Sequence, residues 1–335
     1  MTEYTYQWNP EWADDPTMPL LKVTKSSLNT FEFCRKQYEF SYIEGRRSEP
    51  NAAMARGSAV HNSYEDFYND FEIKKAEEMD ENLIYEYCMG LFPIDDHSEV
   101  YQTMAAFETE RFVKSRKDES LDSYLPIGNE IRCNAQLEIP QTHNTGHKPH
   151  FSLLRDYTVH LQGIIDRVFE EDVELTFSEC EKCFVREHLP KGKLGRKTCN
   201  QFNTSQSGKC KGKLSLVTEK SKGFIPVELK TGVWKDRKQA HMRNEMAFYK
   251  VLMDADPDVA LDPVTHWAWY YPDSNHFGLE PVIASNENRI AKRIAKLIHA
   301  YEQGIFPASY YPAKCQYCSF IGICDSAQQA ELWDW

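Results

Sequence analysis

The sequence predicts a mixed α/β fold in which helices come first and strands then alternate with further helices. Residues 24–45, 57–72 and 99–117 carry apolar side chains at spacings near three and four, which is the periodicity of one helix face. Residues 158–170 and 224–232 show the apolar and alternating patterns of strands. This order of elements is typical of a sheet that shares one core with the helices packed on it.

Each of the three N-terminal helices carries an apolar stripe that would face this core. The first helix would begin at Ser26 or Ser27, whose hydroxyl can cap the first turn. In the second helix the apolar residues are spaced four, three and four apart. The inward-facing residues of the three helices are Leu28, Phe31, Tyr38, Tyr42, Val60, Tyr64, Phe67, Phe71, Val100, Met104 and Phe107.

The remaining elements extend the same pattern. Residues 130–139 alternate as a strand does, and a helix is expected over 239–253. A strand is expected over 264–271 and a last helix over about 286–303.

Length and composition indicate one large domain, or one domain with an inserted module. Of the 335 residues, 41% are hydrophobic, which is ample for a core. No apolar run approaches the length of a membrane span, so we expect no membrane partner. Residues 1–20 lack the apolar segment of a signal peptide, so we expect a flexible leader and a cytoplasmic protein.

Ten cysteines in a chain without an export signal predict metal binding in a reducing cytosol. Three of them lie in the run CQYCSFIGIC at residues 315–324, with the spacing C-x2-C-x5-C. A thiolate site for zinc or an iron–sulfur cluster usually takes four ligands, so this run needs a fourth from elsewhere. Cys88 and Cys133 stand alone in the sequence, and we expect both to be buried thiols.

A second cysteine set lies in a polar segment that is poor in core residues, with the spacing C-x2-C-x15-C-x10-C. The first two cysteines, spaced C-x2-C, form a good zinc half-site, whereas the last two lack this tight spacing. His188 can replace one of the cysteines as a ligand. The alternative to a zinc site is that these cysteines are unrelated loop residues. A polar segment with so few core residues, however, needs a cross-link such as a bound metal in order to fold. The candidate zinc ligands are Cys180, Cys183, Cys199 and Cys210.

The charge of the chain is distributed unevenly. The net charge is −12, yet residues 181–222 contain eleven Lys and Arg side chains against three acids, which is an excess of +8. A basic patch on an acidic body favours a polyanion such as DNA over a membrane surface, and a protein partner is the alternative. The candidate DNA contacts are Lys191, Lys193, Arg196, Lys197, Lys211 and Lys213.

Two predicted strands carry acidic residues where core residues surround them. Glu228 and Lys230 share one strand face, and Asp166 lies inside the apolar run GIIDRV, where a buried carboxylate needs a cation or a metal. The alternative is an ordinary ion pair of Glu228 with Lys230, or of Asp166 with Arg167 or Lys230. His61 lies one position from the apolar stripe of its helix, either as a polar neighbour of the core or as a nitrogen ligand.

Together, Asp166, Glu228, Lys230 and His61 would form a divalent-metal hydrolase site. The carboxylates would hold Mg²⁺ or Mn²⁺, and the metal would lower the pKa of a bound water. The lysine would orient or deprotonate that water, or stabilise the developing charge.

Several motifs follow one another along the chain in a recognisable order: SSLNTFEFCRKQYEFSYI, GSAVH, an acid-led strand near Glu130, GIIDRV, VELKTG, a helix ending in EMAFYKVLM, and CQYCSFIGIC. With them the chain resembles the RecB-like branch of the PD-(D/E)xK nuclease superfamily. It is most similar in pattern to the CRISPR-associated RecB-like exonucleases and the related iron–sulfur nucleases of recombination and replication. The resemblance implies a restriction-endonuclease-like core with N-terminal helices and a C-terminal cluster-binding segment.

The resemblance also implies roles for individual residues. His61, Asp166 and Glu228 correspond to metal ligands, the backbone carbonyl of Leu229 to a further ligand, and Lys230 to the catalytic lysine.

A later helix of the family carries Gln-x-x-x-Tyr. Tyr249 matches the tyrosine, but Glu245 stands where the family has glutamine. The two side chains share a helix face, and the role of the extra carboxylate stays open.

The iron–sulfur branch of the family takes one cysteine from near the N-terminus and three from the C-terminal end. Cys34 matches the first, and Cys315, Cys318 and Cys324 match the others. The resemblance therefore implies a 4Fe-4S cluster, although the spacing C-x2-C-x5-C also fits zinc.

The residues and the resemblance together predict a metal-dependent DNA exonuclease that acts on single-stranded or frayed ends. Its setting would be DNA repair, recombination or CRISPR adaptation, with protein partners. The alternative is a nucleic-acid-binding or assembly subunit that has kept the fold without catalysis.

The nuclease domain would span residues 21–178 and 223–335. Because the family has a short turn between GIIDRV and VELKTG, residues 179–222 would be an inserted zinc-ribbon-like basic module. An insertion between these two strands would lie close to the active site.

Overall fold

The structure is a computed structural model. It describes residues 4–5, 20–47, 51–141, 152–184, 186–189, 194, 196–199, 202–203, 208–259, 261, 263–282 and 284–327. Most of the predicted flexible leader lies outside these residues. Its three described residues are Tyr4, Thr5 and Leu20, and Tyr4 and Thr5 pair in parallel with Leu20 and Leu21.

Helices and strands alternate along the chain in the order that the sequence predicts. The helices are α1 (Lys25–Phe33), α2 (Arg35–Tyr38), α3 (Ala52–Asp70), α4 (Ile73–Glu77), α5 (Glu81–Gly90), α6 (Ser98–Lys117), α7 (Gln239–Ala255), α8 (Ala284–Gln303) and α9 (Pro312–Cys315), with a π-helical turn at Glu39–Ile43. The strands are β1 (Tyr4–Thr5), β2 (Leu20–Thr24), β3 (Gly128–Ile139), β4 (Tyr157–Cys180), β5 (Arg186–His188), β6 (Phe202–Asn203), β7 (Gly208–Lys209), β8 (Leu214–Leu229), β9 (His266–Tyr271) and β10 (His276–Pro281).

The main sheet is mixed, which confirms the predicted fold class. β3, β4 and β8 form an antiparallel meander around the long central strand β4. β9 lies parallel to β8 after the crossover helix α7, and β10 returns antiparallel to β9. β2 pairs in parallel with β4, so the segment before α1 belongs to the sheet.

Helices cover both faces of this sheet. One core lies between the sheet and α1, α2, α7 and α8, and a second lies between the sheet and α3, α5 and α6. Successive side chains of β9 point to opposite faces of the sheet. Trp267 and Trp269 lie in the first core, and Ala268 and Tyr270 lie in the second. Cys88 and Cys133 are fully buried, as predicted.

The first predicted helix is broken at Cys34. This residue is extended, with φ −159° and ψ 119°, so that α1 ends at Phe33 and α2 begins after it. The cap is Thr24 and not Ser26 or Ser27: the Ser27 amide donates to Thr24 Oγ1 at 3.0 Å, and the Thr24 amide donates to Ser27 Oγ at 2.9 Å. This capping box leaves Lys25 as the first residue of α1.

The two strands that carry the acidic residues are longer than the sequence pattern indicates. β4 and β8 continue as a ribbon from Asp172 paired with Lys222 to Cys180 paired with Leu214, and β5 pairs with β4 near the end of it, at Phe177–Glu179. Residues 214–222, which the sequence analysis assigns to the inserted module, therefore belong to the same strand as Glu228. A ribbon can form there without a large core because its cross-strand ladder satisfies the backbone hydrogen bonds.

Candidate active site

Glu228 lies at the centre of the site. Val227 and Leu229 point into the core beneath α3 and α6, so Glu228 points to the other face of the sheet, where it is 2% exposed. Its Oε1 accepts hydrogen bonds from both Lys25 and Lys230, and its Oε2 accepts one from the Tyr249 hydroxyl at 2.6 Å. Burial disfavours the ionised form of Glu228, but the positive charges of Lys25 and Lys230 outweigh the effect of burial and lower the pKa of Glu228.

Lys25 is a member of the site that the sequence pattern did not single out. Its Nζ donates to the Tyr249 hydroxyl at 2.5 Å and lies 3.8 Å from Glu245 Oε2. Its position follows from the Thr24 cap, which makes Lys25 the first residue of α1 and brings its side chain to Glu228 near the end of β8. In the sequence, Lys25 is marked only by its position after a residue that can cap a helix. Many surface lysines share that position, so it does not indicate a role in the site.

Asp166 connects the two central strands where their pairing ends. The last paired residues are Arg167 and Val227, and beyond them Asp166 Oδ2 accepts a hydrogen bond from the Leu229 amide at 2.7 Å. Burial and the nearby charge of Glu228 both raise the pKa of Asp166. Arg167 does not lie beside this carboxylate; its guanidinium lies 4.0 Å from the centre of the Tyr64 ring on the opposite face.

His61 and Glu130 approach Asp166 from α3 and β3. His61 Nδ1 lies 3.6 Å from Asp166 Oδ2. One ligand atom from each of His61, Glu130 and Asp166 lies within 4.8 Å of the other two. Glu130 has a positive φ of 50°, and burial together with Asp166 raises its pKa.

Glu245 closes the site from α7, on the same helix face as Tyr249. Its Oε2 lies 3.1 Å from Lys230 Nζ, while its Oε1 accepts from Asn29 Nδ2 at 2.7 Å and lies 3.0 Å from His241 Nε2. Burial opposes ionisation, but the bond from His241 and the charges of the lysines lower the pKa of Glu245 to about 2. The extra carboxylate is thus surrounded by donors and cations.

The structure brings together the residues that the sequence predicted for this site. Lys230, Asp166, Glu228, Glu245, Tyr249 and His61 converge on one point. Four further members were not assigned roles from the sequence: Lys25, Asn29, Glu130 and His241. Glu130 was visible only as the acid that leads its strand.

Carboxylate oxygens and one imidazole are suitable ligands for Mg²⁺ or Mn²⁺. Among the described residues, the tight donor group consists of His61, Glu130 and Asp166. Glu228, which the resemblance implies as a ligand, is instead held by two lysines and a tyrosine. The donor chemistry therefore fits a divalent ion. Glu130, and not Glu228, is the third member of the tight donor group.

A comparison with protein-family models matches residues 22–178 and 199–325 to the PD-(D/E)XK nuclease superfamily. The chain belongs to the PD-(D/E)XK nuclease superfamily. Membership implies a metal-dependent nuclease with a nucleic-acid substrate. The match is to the superfamily as a whole, so the resemblance to its RecB-like and CRISPR-associated branches stays a prediction. No curated protein matches the chain in sequence.

The four cysteines that the resemblance implies as cluster ligands line one cavity of this PD-(D/E)XK nuclease, between the end of α1 and the C-terminal segment. Lys314 Nζ donates to the Phe33 carbonyl at 2.7 Å, and the rings of Phe40 and Phe320 lie 5.3 Å apart. These contacts join the N-terminal helices to the tail independently of any bound group. The cysteines are Cys34, Cys315, Cys318 and Cys324.

The spacing of these cysteines bears on what they bind. A tetrahedral zinc ion with thiolates at about 2.3 Å draws its four sulfurs to about 3.8 Å from one another. Within the part of the chain that the structure describes, no three of these four sulfurs lie within 4.8 Å of each other. A cluster of several iron atoms separates its thiolates further than a single zinc ion does.

The other cysteine set of this nuclease is tight. The sulfurs of Cys180 and Cys210 are 3.6 Å apart, and those of Cys183 and Cys199 are 3.7 Å apart. All four lie within 4.8 Å of one another, as a tetrahedral zinc site requires. A hydrogen bond from the Cys183 amide is the main cause that lowers the pKa of Cys180 to about 6.

Gly212 allows this cysteine set to pack. A Cβ atom at Gly212 would lie 2.5 Å from Cys180 Sγ. The side chain of His188, the alternative ligand, lies outside the described residues.

The tight cysteine set lies at the far end of the ribbon, not close to the active site as the sequence suggested. Each strand residue advances about 3.3 Å, so the ribbon from Arg167 to Cys180 spans roughly 40 Å. The base of the ribbon alone adjoins the site. Among the predicted DNA contacts, Lys191 and Lys193 lie outside the described residues. Arg196 is half-buried, whereas Lys197, Lys211 and Lys213 are exposed.

Among the described helices of this nuclease, none combines the length and the apolarity that crossing a membrane requires.

Proposed function

We propose that this protein is a metal-dependent DNA exonuclease that hydrolyses phosphodiester bonds at single-stranded or frayed ends. The observation that carries the proposal is the convergence of Asp166, Glu228, His61 and Lys230 where β4 and β8 stop pairing. Membership of the nuclease superfamily supports the reaction. The resemblance to RecB-like exonucleases supports DNA ends as the substrate.

His61, Glu130 and Asp166 would hold Mg²⁺ or Mn²⁺, with Glu228 beside them and the carbonyl of Leu229 as a further ligand. When bound, such an ion stabilises charge on a phosphate oxygen and lowers the pKa of a coordinated water. The acidic donors are buried or half-buried, and this strengthens their attraction for a cation.

Lys230 acts as a cation in this proposal. Burial favours its neutral form, but Glu228 and Glu245 outweigh burial and raise its pKa, so Lys230 is protonated at neutral pH. A protonated lysine stabilises the negative charge that develops on the phosphate and cannot remove a proton from water. Lys25 supplies a second positive charge at the same carboxylate.

Tyr249 and Glu245 position these cations. Tyr249 occupies Glu228 Oε2 and thereby leaves Oε1 to the lysines. Glu245 lies 3.1 Å from the Lys230 ammonium and is itself oriented by Asn29 and His241.

The test compares linear and circular single-stranded DNA with Mn²⁺ or Mg²⁺. An exonuclease degrades end-labelled linear DNA and leaves the circle intact. Lys230→Met should lower the rate about 100- to 1,000-fold, which is the typical cost of removing one group that stabilises transition-state charge. Lys250→Met is the matched control, because Lys250 lies on α7 in an i,i+4 pair with Asp254 at 2.5 Å.

Each contrary result has a distinct meaning. Full activity in Lys230→Met would reject the proposed mechanism, and cleavage of the circle would reject the exonuclease assignment. DNA binding without metal-dependent cleavage would favour the non-catalytic assembly subunit.

The two cysteine sites would hold different cofactors. The wide set at Cys34, Cys315, Cys318 and Cys324 would hold a 4Fe-4S cluster, and the tight set at the end of the ribbon would hold Zn²⁺. Anaerobically purified protein should then contain about four iron atoms and one zinc ion per chain, with a broad absorption band near ~400 nm. Zinc without iron would remove the cluster from the proposal.

The domain organisation and the setting complete the proposal. Residues 21–178 and 223–335 would form the nuclease domain, and residues 179–222 the zinc-ribbon-like module. The family model leaves residues 179–198 unmatched and resumes at residue 199, inside the proposed module. The setting would be cytoplasmic DNA repair, recombination or CRISPR adaptation, with protein partners.

A further inference from the structure

The ribbon formed by β4 and β8 extends beyond the sheet. β9 pairs with β8 at Val227–Leu229, and a single bridge joins Phe224 to Val264. Beyond Gly223 the ribbon continues through nine further residue pairs, from Asp172 paired with Lys222 to Cys180 paired with Leu214. At about 3.3 Å per residue, it carries its end roughly 30 Å away from the sheet. Near this end β5 pairs with β4 at Phe177–Glu179. We call the described residues among 181–184 and 194–213, which lie beyond the last ribbon pair, the tip.

Positive charge is concentrated at the tip and not along the ribbon. Among the side chains that the structure describes, the tip has five Lys and Arg residues against one acid, Glu181. On the ribbon, by contrast, Lys222 is paired with Glu170 at 2.7 Å and with Asp172 at 2.9 Å. Lys182, Lys197, Lys211 and Lys213 are exposed at the tip. Such a surface attracts a polyanion.

Phe184 is an aromatic residue at the tip that packing does not explain. Its side chain is 74% exposed, directly after the cysteine pair Cys180 and Cys183. Its φ is +55°, a conformation that strains any residue with a Cβ atom and that glycine adopts without strain. A large apolar ring is thus held in water, at a position where glycine would stabilise the fold better.

We propose that the tip is a second nucleic-acid-binding surface, in which the Phe184 ring stacks on an unpaired base while the exposed lysines of the tip contact phosphates. Single-stranded nucleic acid is recognised by this combination of an exposed aromatic ring and basic side chains. The inference rests on the proposed nuclease function, since it assigns a second contact on the same substrate.

The length of the ribbon makes the contact depend on the length of the substrate. A strand engaged at both the active site and the tip must cover roughly 40 Å. Four stacked nucleotides cover only about 14 Å at 3.4 Å each, so a four-nucleotide oligomer reaches one surface alone. A strand of 30 nucleotides reaches both.

Phe184→Gly is the decisive variant, because it removes the ring and relieves the backbone strain together. Zinc content and thermal stability should be maintained or increased. With Ca²⁺ in place of Mg²⁺ or Mn²⁺, the Kd for a 30-nucleotide single strand should rise about tenfold, as expected for the loss of one stacked base. Phe184→Trp keeps an aromatic ring at this position and should bind as tightly as the wild type. Leu216→Ala is the control, because Leu216 is a 49% exposed apolar residue on the ribbon itself.

Cleavage of a four-nucleotide oligomer separates this inference from the proposed function. Phe184→Gly should cleave the short oligomer at the wild-type rate and lose efficiency only on the long strand. Unchanged affinity for the long strand would overturn the role of the tip and leave the nuclease function standing. Loss of zinc in Phe184→Gly would likewise overturn it, by assigning the ring to the fold of the tip. Failure of the wild-type protein to cleave either oligomer would instead reject the nuclease function.

Discussion

Lys25 balances a buried negative charge at the active site, and its replacement by methionine tests that role. Glu245 has a 4% exposed side chain, and its Oε2 lies 3.8 Å from Lys25 Nζ. Methionine keeps most of the apolar stem of lysine and removes the ammonium group. Glu228 keeps Lys230 and Tyr249 as partners in this variant, and Glu245 keeps Lys230, so the site as a whole gains one uncompensated negative charge.

The magnitude follows from the geometry of the pair. Two unit charges about 4 Å apart interact by about 4 kcal/mol at an effective dielectric constant of about 20. The desolvation of Lys25, whose side chain is 16% exposed, cancels part of this attraction. We therefore expect Lys25→Met to lower the free energy of unfolding by about 2 kcal/mol. Glu245→Gln should recover most of that loss in the double variant, because it removes one of the two negative charges that Lys25 faces.

Two measurements check this expectation. Urea denaturation of the wild type, both single variants and the double variant gives the coupling free energy, expected to be about 2 kcal/mol. Calorimetric titration with Mn²⁺ gives the second result. Lys25→Met makes the site more negative and should tighten Mn²⁺ binding about tenfold, while the double variant should return to near the wild-type affinity.

The reasoning would be refuted by additive effects. If the two single substitutions add within about 0.5 kcal/mol and Mn²⁺ affinity does not change, the charges of Lys25 and Glu245 are not coupled. Lys250→Met is the control, since its pair with Asp254 is an i,i+4 helix pair and should contribute only about 0.3–0.5 kcal/mol.

Three further predictions concern a buried network, pH and the cysteine sites. Glu108 is fully buried and accepts hydrogen bonds from three tyrosine hydroxyls, so Glu108→Ala should cost about 3–5 kcal/mol in urea denaturation, whereas the exposed control Glu110→Ala should cost little. The pKa of Glu245 is lowered from 4.5 to about 2, so its contribution to stability is present above about pH 4.5 and is lost as the pH falls through about 2. Glu245→Gln should therefore flatten the pH dependence of the unfolding free energy between those values, and an unchanged profile would contradict the assignment. Cys34→Ala should lose iron and retain zinc, and Cys180→Ala should lose zinc and retain iron; metal analysis in which either variant loses both metals would show that the two sites are not independent.

Local chemistry explains why much of the active site could be predicted from the sequence. The alternation of β8 places Glu228 and Lys230 on one face whatever surrounds the strand, and the helix period does the same for Glu245 and Tyr249 on α7. Asp166 stood out because a carboxylate in an apolar run requires a partner. Lys25 and Glu130 gave no comparable signal, since a lysine next to a cap and an acid at the start of a strand are both common on protein surfaces.

The sequence by itself determined the periodicities of the helices and strands, the cysteine spacings and the residue types of the active site. These are local properties, set by backbone geometry and by the cost of burying charge. Only the tertiary structure decided which groups meet across long separations, such as Lys25 with Glu228 and Cys34 with Cys315. It also decided that the tip lies far from the active site, because cross-strand hydrogen bonds extend β4 and β8 through a polar segment that has no core pattern to reveal it.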